Sequence, residues 1–185
     1  MKFPEYETKR LTLRKLTEDD AEGIFQLFSD SLVITYYDME ALSDISQAKQ
    51  IIHLMQERFE SNTGIRWGIR IAETDELVGT CGFNSWNKDM KSAVIGYDLR
   101  SHFWGRGIIT EAIHQIVKQA FGGGLPCGEL NRIQADTVPG NIGSELVLKK
   151  VGFKEEGLRR QCGYWKNQFH DLKCFGLLRS EYKEI

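Results

Sequence analysis

An α+β fold is predicted for this 185-residue chain by two periodicities and one absence. Between Ile65 and Leu99, apolar residues recur at every second position in runs separated by polar turns, as in an antiparallel meander with one covered face. Between Ile108 and Phe121 they recur at three and four positions, the spacing of a helix with one apolar stripe. No linker, repeat or low-complexity segment interrupts this order, so residues 1–185 are read as a single domain.

In chain order, Arg10–Arg14 alternates polar and apolar residues and is the first strand. Thr17 then caps a helix, with Asp20 placed as in a capping box and Ala21, Ile24, Phe25 and Phe28 forming its apolar stripe. Asp30–Leu42 carries Tyr36, Tyr37 and Met39 without a period; a mobile aromatic loop or short helix at a substrate mouth and simple packing both fit it. Ser46–Glu60 is a second helix through Ile51, Ile52, Met55 and Phe59. Arg66–Ile71, Leu77–Phe83 and Ser92–Leu99 form the meander, and the helix from Ile108 follows. After the glycine-rich stretch Gly122–Gly128 come a strand over Asn131–Asp136 and a helix over Ile142–Val151 that stops at Gly152. Strands near Phe153–Cys162 and His170–Leu178 complete a set of about seven strands and about four helices.

Composition narrows the function classes. With 41% hydrophobic and 27% charged residues the chain can bury a core, and its apolar runs are far shorter than the roughly 20 residues a membrane span needs. The first residues, Met-Lys-Phe-Pro-Glu-Tyr-Glu, lack the apolar segment of a secretory signal, so a cytoplasmic location with no membrane partner is expected. Lys plus Arg number 24 against 26 Asp plus Glu, a net charge of −2 that gives no basic surface for nucleic acid. Cys81, Cys127, Cys162 and Cys174 form no Cys-x-x-Cys pair and are expected as free thiols. His53, His102, His114 and His170 show no metal-binding spacing, so no metal is expected.

The segment Phe103-Trp104-Gly105-Arg106-Gly107-Ile108 runs from the last meander strand into a helix. Glycines let a ligand approach backbone, and the first amides of a helix lack partners and carry the positive end of its dipole, so an anion is expected there. The loop is not a Walker A motif, which needs Gly-Lys-Ser/Thr where this chain has Gly-Ile-Ile-Thr. A dinucleotide fingerprint requires a third glycine where Thr110 stands.

The combination of Trp104-Gly-Arg-Gly-Ile-Ile-Thr-Glu-Ala112, Leu130-Asn-Arg-Ile133, Asn141-Ile-Gly-Ser144, Lys150-Val-Gly-Phe153 and Glu156-Gly-x-x-Arg160 resembles the GNAT N-acetyltransferases. Within them it is most similar to the branch of ribosomal-protein N-terminal acetylating enzymes, with Arg10–Arg14 and His170-Asp171 matching that branch's first and last strands. The resemblance covers nearly the whole chain. It implies a mixed, mostly antiparallel sheet whose fourth and fifth strands, Ile95–Leu99 and Asn131–Asp136, splay apart around acetyl-CoA.

By the same resemblance, amides from Phe103, Trp104, Gly105, Arg106, Gly107 and Ile108 would hold the pyrophosphate, with the Arg106 side chain either a further charge or a solvated cation. Freed backbone of Ile95, Gly96, Tyr97 and Leu99 would pair with the pantetheine arm, Gly96 relieving crowding or marking a bulge. Asn141 would bond that arm or simply cap a helix, and Ser144 would sit near the thioester sulfur. Ser144 or Tyr97 would protonate the thiolate, and amides of Tyr97, Asp98 and Leu99 would face the developing oxyanion.

No base is evident. Where some relatives carry a carboxylate, this chain has Gln161-Cys162-Gly163-Tyr164; Asp98, Asp136, Glu111 and a water chain remain as candidates. His102 stands where many relatives have Gln or Arg, and Gly122–Glu129 is an insertion. The acceptor is expected to be a small amine or a protein N-terminus, with a homodimer compatible. A silent CoA-binding or interaction domain on the same scaffold is the alternative.

Overall fold

The computed structural model describes residues 2–184. One eight-stranded sheet carries the chain, in the order β1 (Tyr6–Glu7), β2 (Leu11–Lys15), β3 (Ile65–Ile71), β4 (Leu77–Asn87), β5 (Ser92–Leu99), β6 (Arg132–Thr137), β8 (Gln168–Leu178) and β7 (Lys154–Trp165). Neighbours are antiparallel except β5 and β6, which run parallel. Helices α1 (Ala21–Ser29), α2 (Ser31–Ile34) and α3 (Ile45–Glu60) precede β3; α4 (Ile108–Phe121) and α5 (Ile142–Val151) flank β6 in sequence.

The predicted periods put these elements where they are. On α4, Ile109, Ala112, Ile113, Ile116, Val117 and Ala120 are buried against Trp67, Ile69, Cys81, Phe83 and Ile95 of the meander. Full burial of Ile113 or Ile116 contributes about 1.5–3 kcal/mol relative to exposure. A second cluster joins Ile24, Leu27 and Phe28 of α1 to Ala48 and Ile52 of α3 and to Leu16 and Leu77. Thr17 N–H donates to Asp20 Oδ2 at 2.8 Å, closing the predicted capping box over a 3-10 turn that leads into α1. Gly152, at φ +106°, ends α5 as expected, with its N–H returned to Leu148 O at 3.2 Å. Lys166 and Asn167, both at positive φ, make the two-residue turn between β7 and β8.

Eight strands and five α-helices exceed the predicted seven and four. The extra strand, Tyr6–Glu7, and the extra helix, Ser31–Ile34, have two and four residues and are too short to show a period. β4 also outruns Phe83 to Asn87 by accommodating a bulge at Asn84, where pairing with β5 shifts register. The segment Gly122–Glu129, expected to be an insertion, folds back on the core through Leu125, which is buried in the main cluster.

Candidate active site

β5 and β6 pair only at Ser92↔Arg132, Ala93↔Ile133 and Val94↔Gln134. Beyond Val94 the strands part, and Ile95–Leu99 stays bonded to β4 alone. There the sheet opens into a cleft of about 720 Å³. Ile95, Gly96, Tyr97, Asp98 and Leu99 line one wall, and Ala135–Val138 with α5 residues Ser144 and Leu148 line the other.

One end of the cleft is the glycine loop. Gly105 and Gly107 stand at φ +75° and +73°, which side-chain-bearing residues rarely adopt, and no atom lies within 4 Å of a Cβ built on Gly105. Glu111 N–H makes the first bond of α4, to Gly107 O at 3.1 Å. Among the described residues, the N–H groups from Gly105 to Thr110 have no backbone partner, so the helix dipole and a run of donors converge on one concavity. Two side chains, Arg10 from β2's leading end and Trp104 of the loop itself, set the loop's shape. Arg10 Nη1 donates to Arg106 O at 2.9 Å while its Nε pairs with Glu111 at 2.7 Å, and Trp104 Nε1 donates to Leu99 O at 2.8 Å. Phe103, Trp104, Gly105, Gly107 and Ile108 line the cleft; Arg106 instead lays its guanidinium 5.3 Å from the centre of the Phe103 ring.

Across the cleft, the Tyr97 hydroxyl lies 2.7 Å from Ser144 Oγ and donates to Ser144 O at 3.1 Å. Strand alternation aims Tyr97 at α5, and Ser144 faces it because Asn141 starts that helix, its Oδ1 accepting from Ser144 N at 3.3 Å. Asn141 is thus a helix cap, and its side-chain amino group makes no hydrogen bond among the described residues. Burial pushes the Tyr97 phenol above its ordinary range, outweighing the Ser144 contact that lowers it, so the group keeps its proton.

The carboxylates divide by neighbourhood. Asp98 lines the cleft, but its Oδ2 accepts from Arg66, from Thr80 Oγ1 at 3.0 Å and from the Tyr37 hydroxyl at 3.3 Å. Asp136 also lines it and is paired with Arg159. Glu111 faces away, bound by Thr8 Oγ1 at 2.6 Å and by Arg10; burial alone would raise its pKa, and these bonds hold it below the usual range instead. His102 packs edge-on to Phe103 outside the cleft lining. The space above Gly96 is taken by the Asn84 amide and Arg66 guanidinium.

Sequence reasoning missed Arg66, Asn84 and Trp165, all of which line the cleft, and Arg10, which shapes the loop. A signal existed for the first: an arginine inside a strand otherwise written for burial, Ile65-Arg66-Trp67. From the aromatic segment, Leu32, Val33, Tyr36, Tyr37 and Asp38 reach the cleft; Tyr36 OH donates to Gly140 O at 3.0 Å, and Lys166 Nζ to Ile34 O at 2.8 Å. No group of three or more metal-ligating side chains occurs among the described residues, and no described helix is long and apolar enough to cross a membrane. The four cysteines are unpaired.

Comparison with known proteins agrees with this architecture. The acetyltransferase (GNAT) domain model matches residues 10–154. An uncharacterized N-acetyltransferase, p20 of Bacillus licheniformis, is 37% identical over 175 residues, spanning 95% of this chain and 96% of its own. Two solved structures share the fold. The microcin C7 self-immunity acetyltransferase MccE, in complex with acetyl-CoA and AMP, superposes with a TM-score of 0.83 at 21% identity over 92% of this chain and 93% of that one. The ribosomal L7/L12 α-N-protein acetyltransferase RimL, in complex with coenzyme A, gives 0.81 at 20% identity over 92% and 95%. The chain belongs to the GNAT family of acyl-CoA-dependent N-acetyltransferases, among whose members are ribosomal-protein acetyltransferases.

Proposed function

We propose that this protein transfers an acetyl group from acetyl-CoA directly to a primary amine, either a protein N-terminus or a small amine. The observation that carries the reading is the parting of β5 from β6 beyond Val94, which leaves strand backbone, orphan helix amides and a hydroxyl pair facing one cleft. These residues fit a long amide-bearing diphosphate: the cradle at Gly105–Thr110 offers several donors and, at Gly105, open space within 4 Å of where a side chain would begin, and Ile95–Leu99 offers strand pairing. Asn141 would contribute its amino group to the same arm. When bound, acetyl-CoA supplies the acetyl group as a thioester.

The chain's residues then have separate tasks. Backbone amides of Tyr97 and Leu99, which alternation turns away from β4, stabilise negative charge on the acetyl oxygen, a role that fixed dipoles serve without reorganising; the Asp98 N–H, expected to join them, faces β4 in the register that Arg100 N–H sets by donating to Val78 O at 2.9 Å. Ser144 donates a proton to the leaving sulfur and regains one from solvent, while Tyr97, whose hydroxyl touches Ser144 and keeps its proton, holds the serine by hydrogen bond. Asp98 lies on the acceptor side, beside Tyr37 and Arg66, and the proton lost by the amine passes to solvent. An α-amine, with a pKa near 8, is already partly neutral at physiological pH and needs no strong base.

Thiol release from acetyl-CoA, followed with a mixed panel of peptides and amines, tests the proposal. Acceptor-dependent release is expected; saturable CoA binding without such release on any acceptor overturns the enzyme reading in favour of a silent CoA-binding domain.

A further inference from the structure

Arg66 is a full charge carried into the sheet, 7% exposed, and glycines make its space. Pairing aligns Arg66, Gly82 and Gly96 across β3, β4 and β5, and a Cβ at Gly96 would stand 2.9 Å from Arg66 Nη1. Each arm of the guanidinium is used: Nε donates to Thr80 Oγ1 at 3.0 Å, Nη1 to Asn84 Oδ1 at 3.0 Å, and Nη2 to Asp98 Oδ2. Thr80 and Tyr37 donate to that same Oδ2. Every protein donor therefore falls on one oxygen. Asp98 Oδ1 has no donor among the described residues, although its side chain is only 3% exposed and lines the cleft. Oδ1 is the acceptor of this carboxylate left open to the cleft, and a ligand N–H arriving there would meet an acceptor that no protein group uses.

The surroundings define which N–H. Burial pushes the Cys81 thiol up to about 12 and lifts Tyr37 and Tyr97 above their ordinary range, so these neighbours stay neutral. Arg66 balances Asp98, and Asp38 is the next carboxylate, beside Tyr37. A carboxylate already matched by a buried cation offers little net attraction to a second cation. It can still accept a hydrogen bond.

We propose that Asp98 Oδ1 anchors the acceptor amine in its neutral form, that Arg66 and Tyr37 are the residues positioning it, and that the site thereby selects weakly basic primary amines over strongly basic alkylamines. This rests on the acetyltransferase reading above. At pH 7.5 roughly a quarter of an α-amine is neutral but only about one part in a thousand of a lysine-like amine, so an anchor that does not hold the ammonium form separates the two classes.

Calorimetry on the coenzyme A-saturated protein tests the anchor without turnover. Glycinamide is titrated at pH 7 in buffers of different ionisation heat. Release of close to one proton per amine bound is expected, and release near zero, meaning that the ammonium form binds, overturns the proposal. Tyr37→Phe, a conservative change, is expected to raise the acceptor KM about tenfold with the acetyl-CoA Kd unchanged. An unchanged acceptor KM also overturns it. Arg66→Met, if folded, should cut proton release by half or more; unaltered release would remove Arg66 from the positioning role. Failure of the acetyltransferase reading looks different: no acetyl transfer to any acceptor. Transfer without proton release or a KM shift is failure of the anchor alone.

Discussion

On the face of β5 that meets α5, polar atoms come together as neutral hydroxyls, Tyr97 and Ser144 at 2.7 Å; on the opposite face they come together as the ion pair Arg66–Asp98. Strand alternation makes the two faces possible with adjacent residues. The hydroxyl face carries no charge, so either group can be changed without stranding one. The ionic face cannot be so changed, since either partner alone would be a charge stranded in the interior. One strand thus presents a neutral pair and an ion pair from adjacent residues to the same cleft.

The largest expected effect breaks the ionic face. Arg66→Met leaves Asp98 buried without its cation and should cost about 3–5 kcal/mol, read as a shift in the denaturant midpoint. Loss under 1 kcal/mol would mean that the pair is hydrated. On the hydroxyl face, Ser144→Ala should lower kcat about a hundredfold while changing acetyl-CoA affinity little. If affinity falls and kcat does not, Ser144 is a binding residue. Gly107→Val, at the end of the cleft that both faces share, should weaken CoA binding at least tenfold, about 1.4 kcal/mol, because φ +73° excludes a β-branched side chain. Unchanged affinity in a folded variant would remove the loop from the binding site.

The smallest effect concerns pH. Glu111 has a lowered pKa in the fold, so its contribution is present above the unfolded value near 4.5 and is lost as pH falls through the folded one. Glu111→Gln should lower Tm at pH 7 and flatten the acid limb below pH 4.5. Parallel Tm profiles for the two proteins would show that Arg10 and Thr8 do not stabilise the carboxylate.

How much of this was legible in the chain depends on distance along it. The α5 helix was bounded at Ile142 and Val151 by Pro139-Gly140-Asn141 before it and Gly152 after it, and α4 by its apolar stripe, because those signals lie within a few residues of each other. The glycine loop was legible for the same reason. The bulge at Asn84 was not, since an extra residue in one strand is defined only against its partner. Nor were Arg66 and Tyr37 as companions of Asp98, which are 32 and 61 residues away. For Gly96 the chain left relief of crowding beside a ligand and a strand bulge both open; a Cβ there would meet Arg66 and Asn84, and the bulge lies at Asn84 on the neighbouring strand.

The sequence by itself determined the fold class, the order of the main elements, the place of the glycine loop at a helix start and the family, because period, glycine placement and helix caps are properties of neighbouring residues. Tertiary structure alone decided where β5 leaves β6, that Tyr97 meets Ser144, and that Asp98 has one oxygen filled by Arg66 and the other turned to the cleft. Those facts depend on register between distant strands, and register follows from packing of the whole sheet rather than from any stretch of the chain.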